Sequence, residues 1–496
     1  VEAELDAVAR RWSHQHVEAC ELKRSADPSA RERAPQVSAC LVEAQRVLEF
    51  AVETIVETAR EHPEHIATAV LGIDDLTDCG RPVDLDGGVS VVEAFDLSGR
   101  VARAELELEL GRSTAAADRL DDVIAAIGER PLHRLAAKAR GERARAADTL
   151  GDEDLAQTHA RAFLAHAELV SDPALEAEAW LSLSVHSHRD PEFRGFCLDR
   201  VAQLEQRGEL PPRVSAEHAL LRGAALAAAN DDEAAIAPLE DAVAALEALG
   251  DQPTRLADAL SGLGDSLLIT GSTERAIEIH QRAVNLRAQT LGTEHPDTAT
   301  GLVRLAQARV FALQYADARA TYDAAIEVLA ANPDVAPRKR AQALAMRAQL
   351  LSQLQEHALA IADSRRSYEL QRALGASDPR ILGAAAFLVR TLVEADQPAE
   401  ALEVSEPLRA LVLSLDDETS ALSRGQLGLA SAQALIAVGR TSEGIARLDE
   451  AATLLGSIYR PSSSPYYQLW ATVGRAYRAA DRIDMATSGR EQRLAE

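Results

Sequence analysis

The chain has 496 residues, a formal net charge of −26 and a sequence pI near 5.0. This acidic balance excludes the concentrated basic surface that nucleic-acid binding requires. Hydrophobic residues make up 47% of the chain but aromatic residues only 3%. The apolar side chains are therefore mostly Ala and Leu, which favour closely packed helices over strands.

Residues 1–79 are predicted to form an atypical helical N-terminal cap, and residues 80–89 a linker to the rest of the chain. The cap contains a helix break at Asp27-Pro28-Ser29. No apolar run reaches the roughly 18 residues that a membrane-spanning helix needs. The chain begins at Val1 rather than Met, and we therefore expect it to come from a longer protein.

A repeated unit begins near residue 90 and continues to residue 496. Its clearest copy spans Leu256 to Gly292, in which Leu260 and Leu263 recur at helical spacing and Gly271 ends the first helix. A second periodic face starts at Ala276. This pattern of helix, turn and helix predicts a helical hairpin.

Each second helix is predicted to carry a small residue near its start, because two helix backbones cross closely there. We call this residue the anchor of its unit. Twelve residues before it comes a small residue of the first helix, as Gly264 comes before Ala276. The unit around Gly195 is the most irregular, because Leu183 and Phe196 crowd positions where small residues are expected. The predicted anchors are Ala116, Ala156, Gly195, Ala235, Ala276, Ala318, Ala358, Ala401, Gly444 and Ala486.

Turn residues within the units and prolines between them fit the same period. The turns fall at Gly111, Gly151, Asn230-Asp231, Gly271, Asp396-Gln397 and Gly439. A single hairpin cannot bury its apolar face, whereas stacked hairpins build a continuous core. The sequence therefore predicts an all-α fold, a right-handed α-solenoid of about ten helical hairpins over residues 90–496.

The segment LGTEHPDTATGLVRLAQARVFALQYADARATYDAAIEVL, Leu291 to Leu329, resembles the 42-residue tetratricopeptide repeat of the kinesin-light-chain type. The HPDT sequence at His295 to Thr298 opens the first helix, and YADA at Tyr315 to Ala318 opens the second. The resemblance implies a protein-binding groove lined by first helices. The family often has Asn where Arg304 stands, and Arg cannot accept a hydrogen bond from a bound peptide backbone.

The N-terminal cap resembles the segment that leads into the repeats of bacterial serine/threonine protein kinases with C-terminal tetratricopeptide arrays. The residues that carry this resemblance are Trp12, Ala19, Cys20, Cys40, Leu41, Arg46 and Cys79. In such kinases a membrane span often lies just upstream, which would place the repeats outside the cytoplasm. A free-standing protein would instead be cytoplasmic.

Cys20 and Cys40 flank the helix break at similar distances. An antiparallel hairpin would bring them together, and an extracytoplasmic location would make a disulfide between them plausible. In a cytosolic protein they would be small buried hydrophobic residues.

Catalytic, cofactor and metal motifs are absent from the sequence. It lacks the glycine-rich loop, VAIK lysine, HRD loop and DFG site of a kinase, as well as the Walker, Rossmann and nucleophile-elbow motifs. His159 and His166 lie seven residues apart, without the further ligands of a metal site. We expect no enzyme activity, no cofactor and no bound metal.

Counting from the small first-helix residue places a set of side chains on the predicted inner face of the solenoid. Arginines are frequent in its C-terminal half although the chain is acidic, which favours an acidic or phosphorylated protein partner. The arginines could instead pair with neighbouring Asp and Glu. The predicted partner-binding residues are Asp265, Gln307, Phe311, Arg340, Arg347, Arg390, Arg475 and Arg478.

The sequence thus favours a protein-interaction scaffold, the regulatory or sensing repeat region of a larger bacterial signalling protein such as a serine/threonine kinase. The alternative is the repeat region of a nucleotide-switch ATPase or a transcriptional regulator. An enzyme with an unrecognised site is the third hypothesis.

Overall fold

The computed structural model describes scattered positions between 10 and 24 and the ranges 27–61, 90–187, 190–208, 210–250, 252–331, 337–375, 380–415, 418–459 and 464–480. Within these ranges every regular element is a helix. The chain divides into two compact units, Val1–His295 and Pro296–Glu496. The predicted all-α fold of stacked helical hairpins is confirmed.

Unit 1 contains one long N-terminal helix, α1, and five helical hairpins. Its helices are α1 Pro28–Glu61, α2 Val91–Glu109, α3 Ser113–Ile127, α4 His133–Thr149, α5 Glu153–Val170, α6 Pro173–Val185, α7 Pro191–Arg207, α8 Pro212–Ala228, α9 Asp232–Leu249, α10 Pro253–Ile269 and α11 Thr273–Thr290.

Unit 2 continues the pattern with four hairpins and the first helix of a fifth. Its helices are α12 Pro296–Phe311, α13 Tyr315–Ala331, α14 Pro337–Gln353, α15 His357–Leu374, α16 Arg380–Glu394, α17 Pro398–Ser405, α18 Arg409–Ser414, α19 Glu418–Ala437, α20 Thr441–Ile458 and α21 Ser464–Ala479. A 3-10 turn, Glu406–Leu408, separates α17 from α18. Ala486, the last predicted anchor, lies outside the described residues.

The N-terminal helix α1 packs directly against the first hairpin. The nearly buried carboxylate of Glu43 accepts a hydrogen bond from Arg103 Nη1 on α2 at 2.7 Å and one from Arg46 at 3.1 Å. Gly99 leaves the space for this side chain, because a Cβ there would lie 2.1 Å from Glu43 Oε1. The predicted boundaries of cap (1–79), linker (80–89) and solenoid (90–496) stay a prediction, since residues 62–89 lie outside the described part.

The turns inside eight of the hairpins each use one residue in the left-handed conformation. These residues are Gly111, Gly151, Asn230, Gly271, Leu313, Gln355, Asp396 and Gly439, with φ between 58° and 89°. Glycine adopts this conformation without a steric cost, whereas Leu and Gln do so at a cost of about 1 kcal/mol. The turn geometry is therefore set by the repeat and not only by the local sequence.

The left-handed residue fixes the register of each of these eight hairpins. A buried small residue follows it five positions later, as Ala276 follows Gly271 and Ala318 follows Leu313. After Gln355 this residue is Ala360, which is fully buried, whereas Ala358 is exposed. The predicted anchor Ala358 is therefore wrong by two residues.

The predicted anchor Gly195 is also wrong. A Cβ at Gly195 would have no neighbour within 4 Å, so no helix crosses there. In α7 the residue four after the N-cap Asp190 is Arg194, whereas in α9 the residue four after the N-cap Asp231 is the buried Ala235. An arginine thus occupies the anchor position of this irregular unit, and its bulk explains why the small-residue search missed it.

Candidate functional site

The first helices of unit 2 carry a row of equivalent side chains, one from each helix, at positions that the sequence predicts for the inner face. Each one directly follows a buried residue of α12, α14, α16, α19 or α21, and each is itself exposed or half-buried. We call this row the inner-face ladder. Its members are Gln307, Gln349, Arg390, Gln433 and Arg475.

The side-chain amides of the three ladder glutamines are available for hydrogen bonding to a partner. Gln307, Gln349 and Gln433 make no hydrogen bond to any residue that the structure describes. A primary amide offers two donors and one acceptor, which match the alternating N–H and C=O groups of a peptide backbone. Gln307 and Gln349 lie in consecutive repeats and Gln433 lies two repeats further on, so the three amides can pair with separate parts of an extended chain.

The two ladder arginines are held on their own helices. The Arg390 guanidinium lies over the Phe387 ring, 4.7 Å from its centroid, and 3.8 Å from the half-exposed carboxylate of Glu394. Arg475 donates to Thr472 Oγ1 at 2.8 Å. Stacking on a ring orients a guanidinium but leaves its N–H groups available for a carboxylate or phosphate.

Two further predicted residues extend the ladder. Arg478 lies three residues after Arg475, one helical turn further along α21, and makes no ion pair within the described ranges. Phe311, the last residue of α12, is 59% exposed. An exposed aromatic ring beside polar groups that have free hydrogen-bonding capacity is a common anchor in protein interfaces.

Arg347 does not belong to the inner face. Its position was counted from Ala358, and the corrected anchor Ala360 moves the inner position to Gln349. Arg347 instead donates two hydrogen bonds to Asp363, at 2.7 and 2.8 Å, and one to Asp323 at 2.6 Å. These hydrogen bonds raise the pKa of the guanidinium. With three of its donors bound to carboxylates, Arg347 serves packing between helices.

Arg340 shares this correction, because it lies seven residues before Arg347 on the same face of α14. Its Nε is buried and makes no hydrogen bond to any described atom. The predicted role of Arg340 in binding an anion thus loses the register on which it depended, although the guanidinium makes no ion pair with any residue that the structure describes.

Asp265 lies at the equivalent ladder position of unit 1. Its carboxylate is half-exposed and 3.5 Å from Nε2 of His280. The predicted set of eight residues is therefore divided: Asp265 belongs to unit 1, Arg340 and Arg347 are displaced by the register, and the others keep the positions in unit 2 that are predicted for the inner face. Gln349 was missed, although the 42-residue period from Gln307 points to it.

Of the two cysteines in the predicted disulfide, the structure describes only Cys40. Cys40 is disulfide-bonded, while Cys20 lies outside the described residues, so that their pairing stays a prediction. Cys197 is a free thiol, fully buried, and burial raises its pKa to about 11. A buried thiol with so high a pKa is a packing residue.

His159 and His166, the histidine pair noted in the sequence, contact different side chains. His159 is buried beside Arg140, and desolvation followed by the Arg140 charge lowers its pKa to about 4. His166 faces His133, with 3.3 Å between the two Nδ1 atoms. Within the described ranges no group of three or more His, Cys, Asp or Glu side chains could hold a metal ion. No helix of this part of the chain combines the length and apolarity of a membrane span.

Comparison with known sequences identifies the repeat. Residues 255–331 match the tetratricopeptide repeat family, and the tetratricopeptide repeats predicted from the sequence are confirmed. No curated protein matches the chain. The resemblance of the N-terminal cap to kinases has no counterpart in these comparisons.

Two solved structures share the fold over most of the chain, and a third matches less than half of it. The apo form of RapI is 12% identical, with a TM-score of 0.52, and the match covers 72% of this chain and 98% of RapI. The apo form of the quorum sensor NprR from B. thuringiensis is 11% identical, with a TM-score of 0.51, covering 72% of this chain and 97% of NprR. Kinesin-light-chain-like repeats from Podosopora anserina are 21% identical over 42% of this chain and 97% of theirs, with a TM-score of 0.37.

Proposed function

We propose that this chain is a protein-interaction scaffold in which the inner-face ladder of unit 2 binds an acidic or phosphorylated segment of a partner protein. The ladder is the observation on which the proposal depends. Five equivalent positions carry only amide and guanidinium groups, and the amides are unspent. Amides suit a peptide backbone, and guanidinium groups suit the carboxylates or phosphates that it carries.

Charge supports the choice of an acidic partner. The chain has a net charge of −26, so a negatively charged segment is repelled by most of its surface. A local row of arginines provides the exception, which gives specificity and register more than raw affinity. Phe311 adds an apolar contact at one end of the row.

The test is a titration of labelled peptides against the full chain, read by fluorescence anisotropy. The set contains a glutamate-rich peptide with an apolar residue, its phosphoserine counterpart and an uncharged version. The Arg390→Gln, Arg475→Gln double variant should bind the acidic peptides about tenfold or more weakly, because each charge-assisted hydrogen bond contributes about 1.5–3 kcal/mol. The matched control is Arg319→Gln, Arg366→Gln on second helices of the same unit. Equal affinities of the double variant and the control would refute the assignment.

The parent protein is proposed to be a signalling protein of the serine/threonine kinase type, in which this region senses or recruits a partner. The support is the resemblance of the N-terminal cap; a nucleotide-switch ATPase or transcriptional regulator is the alternative parent. The quorum sensor NprR has a fold of the same kind. The full reading frame decides the question, because kinase motifs upstream of residue 1 would support the proposal and nucleotide-switch motifs would refute it.

An extracytoplasmic location is part of the same proposal. Disulfide bonds persist in oxidising compartments and are rare in the cytosol, and Cys40 is disulfide-bonded. Alkylation of the native protein followed by mass spectrometry measures this state. Protection of Cys40 that is lost on reduction supports the location, and alkylation of Cys40 in protein purified without reductant contradicts it.

A further inference from the structure

The second helix of the third hairpin in unit 2 is broken. Helix α17 ends after eight residues at Ser405 and gives way to the 3-10 turn Glu406–Leu408. Pro407 causes the break, because it lacks the backbone N–H of a continuing helix and its ring displaces the preceding turn. The second helix of the preceding hairpin, α15, runs for 18 residues. In the third hairpin the 3-10 turn and the six-residue helix α18 follow α17 in place of one continuous second helix.

A cavity of about 380 Å³ lies at this break. Tyr368 from α15, Ile381 from α16, Val404 from α17 and Leu408 from the turn provide its apolar lining. Its lining contains no residue of the inner-face ladder. Its size is at the lower end of the range for pockets that hold small molecules.

Pro407 and three charged residues complete the lining. Two of the charged residues, Arg372 and Glu403, are exposed and make no ion pair within the described part of the chain. Glu400 pairs with Arg365. Arg372 lies 5.9 Å from the centroid of the Tyr368 ring and makes no ion pair within the described part of the chain. Glu403 makes neither an ion pair nor a hydrogen bond to any described residue. One cation and one anion are therefore available at the edge of an apolar cavity.

We propose that this cavity binds a zwitterionic amino acid unit with an apolar side chain, as the free amino acid or as a short peptide. Arg372 binds the carboxylate, Glu403 binds the ammonium group, and the apolar side chain packs against Tyr368 and Leu408. Both charged side chains are exposed at the rim of the cavity, so a ligand with one charge of each sign can pair with both while its side chain enters the apolar lining. A simple anion or a purely apolar ligand makes fewer of these contacts, and the lining therefore favours the zwitterion.

This site is independent of the inner-face ladder, so that either proposal can fail without the other. The probes are L-leucine, L-phenylalanine and the dipeptide leucyl-leucine, titrated calorimetrically into the full chain. N-acetyl-leucine, which lacks the ammonium group, and leucinamide, which lacks the carboxylate, are the matched controls. We expect at least one zwitterion to bind with a Kd at or below about 1 mM and both blocked probes to bind about tenfold or more weakly. Tighter binding of leucine than of leucyl-leucine would indicate that the ligand is a free amino acid, and the reverse order would indicate a peptide.

Variants then connect binding to the cavity. Arg372→Gln and Glu403→Gln should each weaken the zwitterion about tenfold, and Leu408→Trp should abolish binding by filling the cavity. Arg366→Gln, on the same helix as Arg372 and paired with Glu369 at 3.2 Å, should change nothing. Both charge variants are surface substitutions, and unchanged circular dichroism confirms their fold. The proposal is overturned if no zwitterion binds at about 10 mM, if blocked probes bind equally well, or if neither charge variant weakens binding.

Discussion

Arg347 and Leu305 occupy equivalent positions in consecutive first helices, 42 residues apart, yet one is a guanidinium and the other a core leucine. Each directly precedes a fully buried alanine, Ala348 or Ala306. In unit 1 the equivalent residue of α4 is also an arginine, Arg143, which binds Asp121 of the preceding second helix at 2.8 and 3.1 Å. Arg347 makes the same inter-hairpin bond to Asp323 of α13. The repeat thus uses either a leucine or an arginine–aspartate pair at one packing position.

Removal of the Arg347 side chain should destabilise unit 2. Arg347→Ala leaves the nearly buried carboxylate of Asp363 unpaired, and an uncompensated buried charge costs about 2–4 kcal/mol. Asp323→Ala removes a half-exposed partner and should cost less than about 1 kcal/mol. Urea unfolding followed by circular dichroism measures both. Equal and small losses for the two variants would show that Arg347 does not stabilise the packing.

The corrected register of the third first helix predicts opposite responses at two nearby alanines of α15. Ala360→Leu should cost about 1–3 kcal/mol, because Ala360 is fully buried and extra methyl groups overpack the crossing. Ala358→Leu should change the unfolding free energy by no more than about 0.5 kcal/mol, since Ala358 is exposed. The reverse order of the two effects would restore the register predicted from the sequence.

Two glycines within helices should also respond oppositely to alanine. A Cβ at Gly264 would lie 2.6 Å from the ring of the buried His280, so Gly264→Ala should destabilise by about 1–3 kcal/mol. At Gly195 a Cβ meets nothing within 4 Å, and Gly195→Ala should stabilise α7 by about 0.5–1 kcal/mol. Thermal melts of the two variants give the comparison. A stable Gly264→Ala variant would mean that the helices do not cross there.

His280 should make unit 1 less stable in mild acid. It is 1% exposed, and desolvation, followed by the Arg287 charge, lowers its pKa to about 4. Asp265 lies 3.5 Å away, but it is half-exposed and does not offset burial. The unfolded chain takes up a proton near pH 6.5 and the folded chain does not until about pH 4, so stability falls as the pH drops through this window.

The size of this effect is about 2 kcal/mol between pH 7 and pH 5. His280→Leu should remove its share of the pH dependence, whereas His159, whose pKa is also about 4, continues to contribute. His357→Leu, at a half-buried surface position, is the control. Urea titrations at the two pH values give the slopes, and the same slope for wild type and His280→Leu would contradict the assignment.

The sequence predicted the fold well because its strongest signals come from packing. The Ala and Gly anchors, the helix-breaking turns at Gly271 and Gly439 and the helical period all reflect the close crossing of two helices. The errors arose where another residue type performs the same task. Gln355 and Leu313 adopt the left-handed turn without being glycine, and Arg194 occupies an anchor position.

The candidate site was predicted only in part for the same reason. Because the anchor was placed at Ala358 and not at Ala360, Arg347 was assigned to the ladder position that Gln349 occupies. The predicted ladder therefore contained too few glutamines and too many arginines. Arg390, Arg475 and Gln307 were identified because their helices were in register. The cavity at the broken helix was missed, although Pro407 within a predicted second helix is the signal that indicates it. Which charged side chains at the cavity lack an ion-pair partner depends on the pairing between helices, and a single sequence does not reveal that pairing.

Reversal of charge on the inner-face ladder tests the central claim most directly. The measurement compares the affinities of one acidic peptide and its lysine-substituted counterpart for wild type and for the Arg390→Glu, Arg475→Glu double variant, with circular dichroism as the check of folding. We predict that wild type prefers the acidic peptide and that the double variant prefers the basic one, because the sign of the local field decides which peptide is attracted. An unchanged preference in the folded double variant would contradict the assignment of the ladder as the partner-binding site.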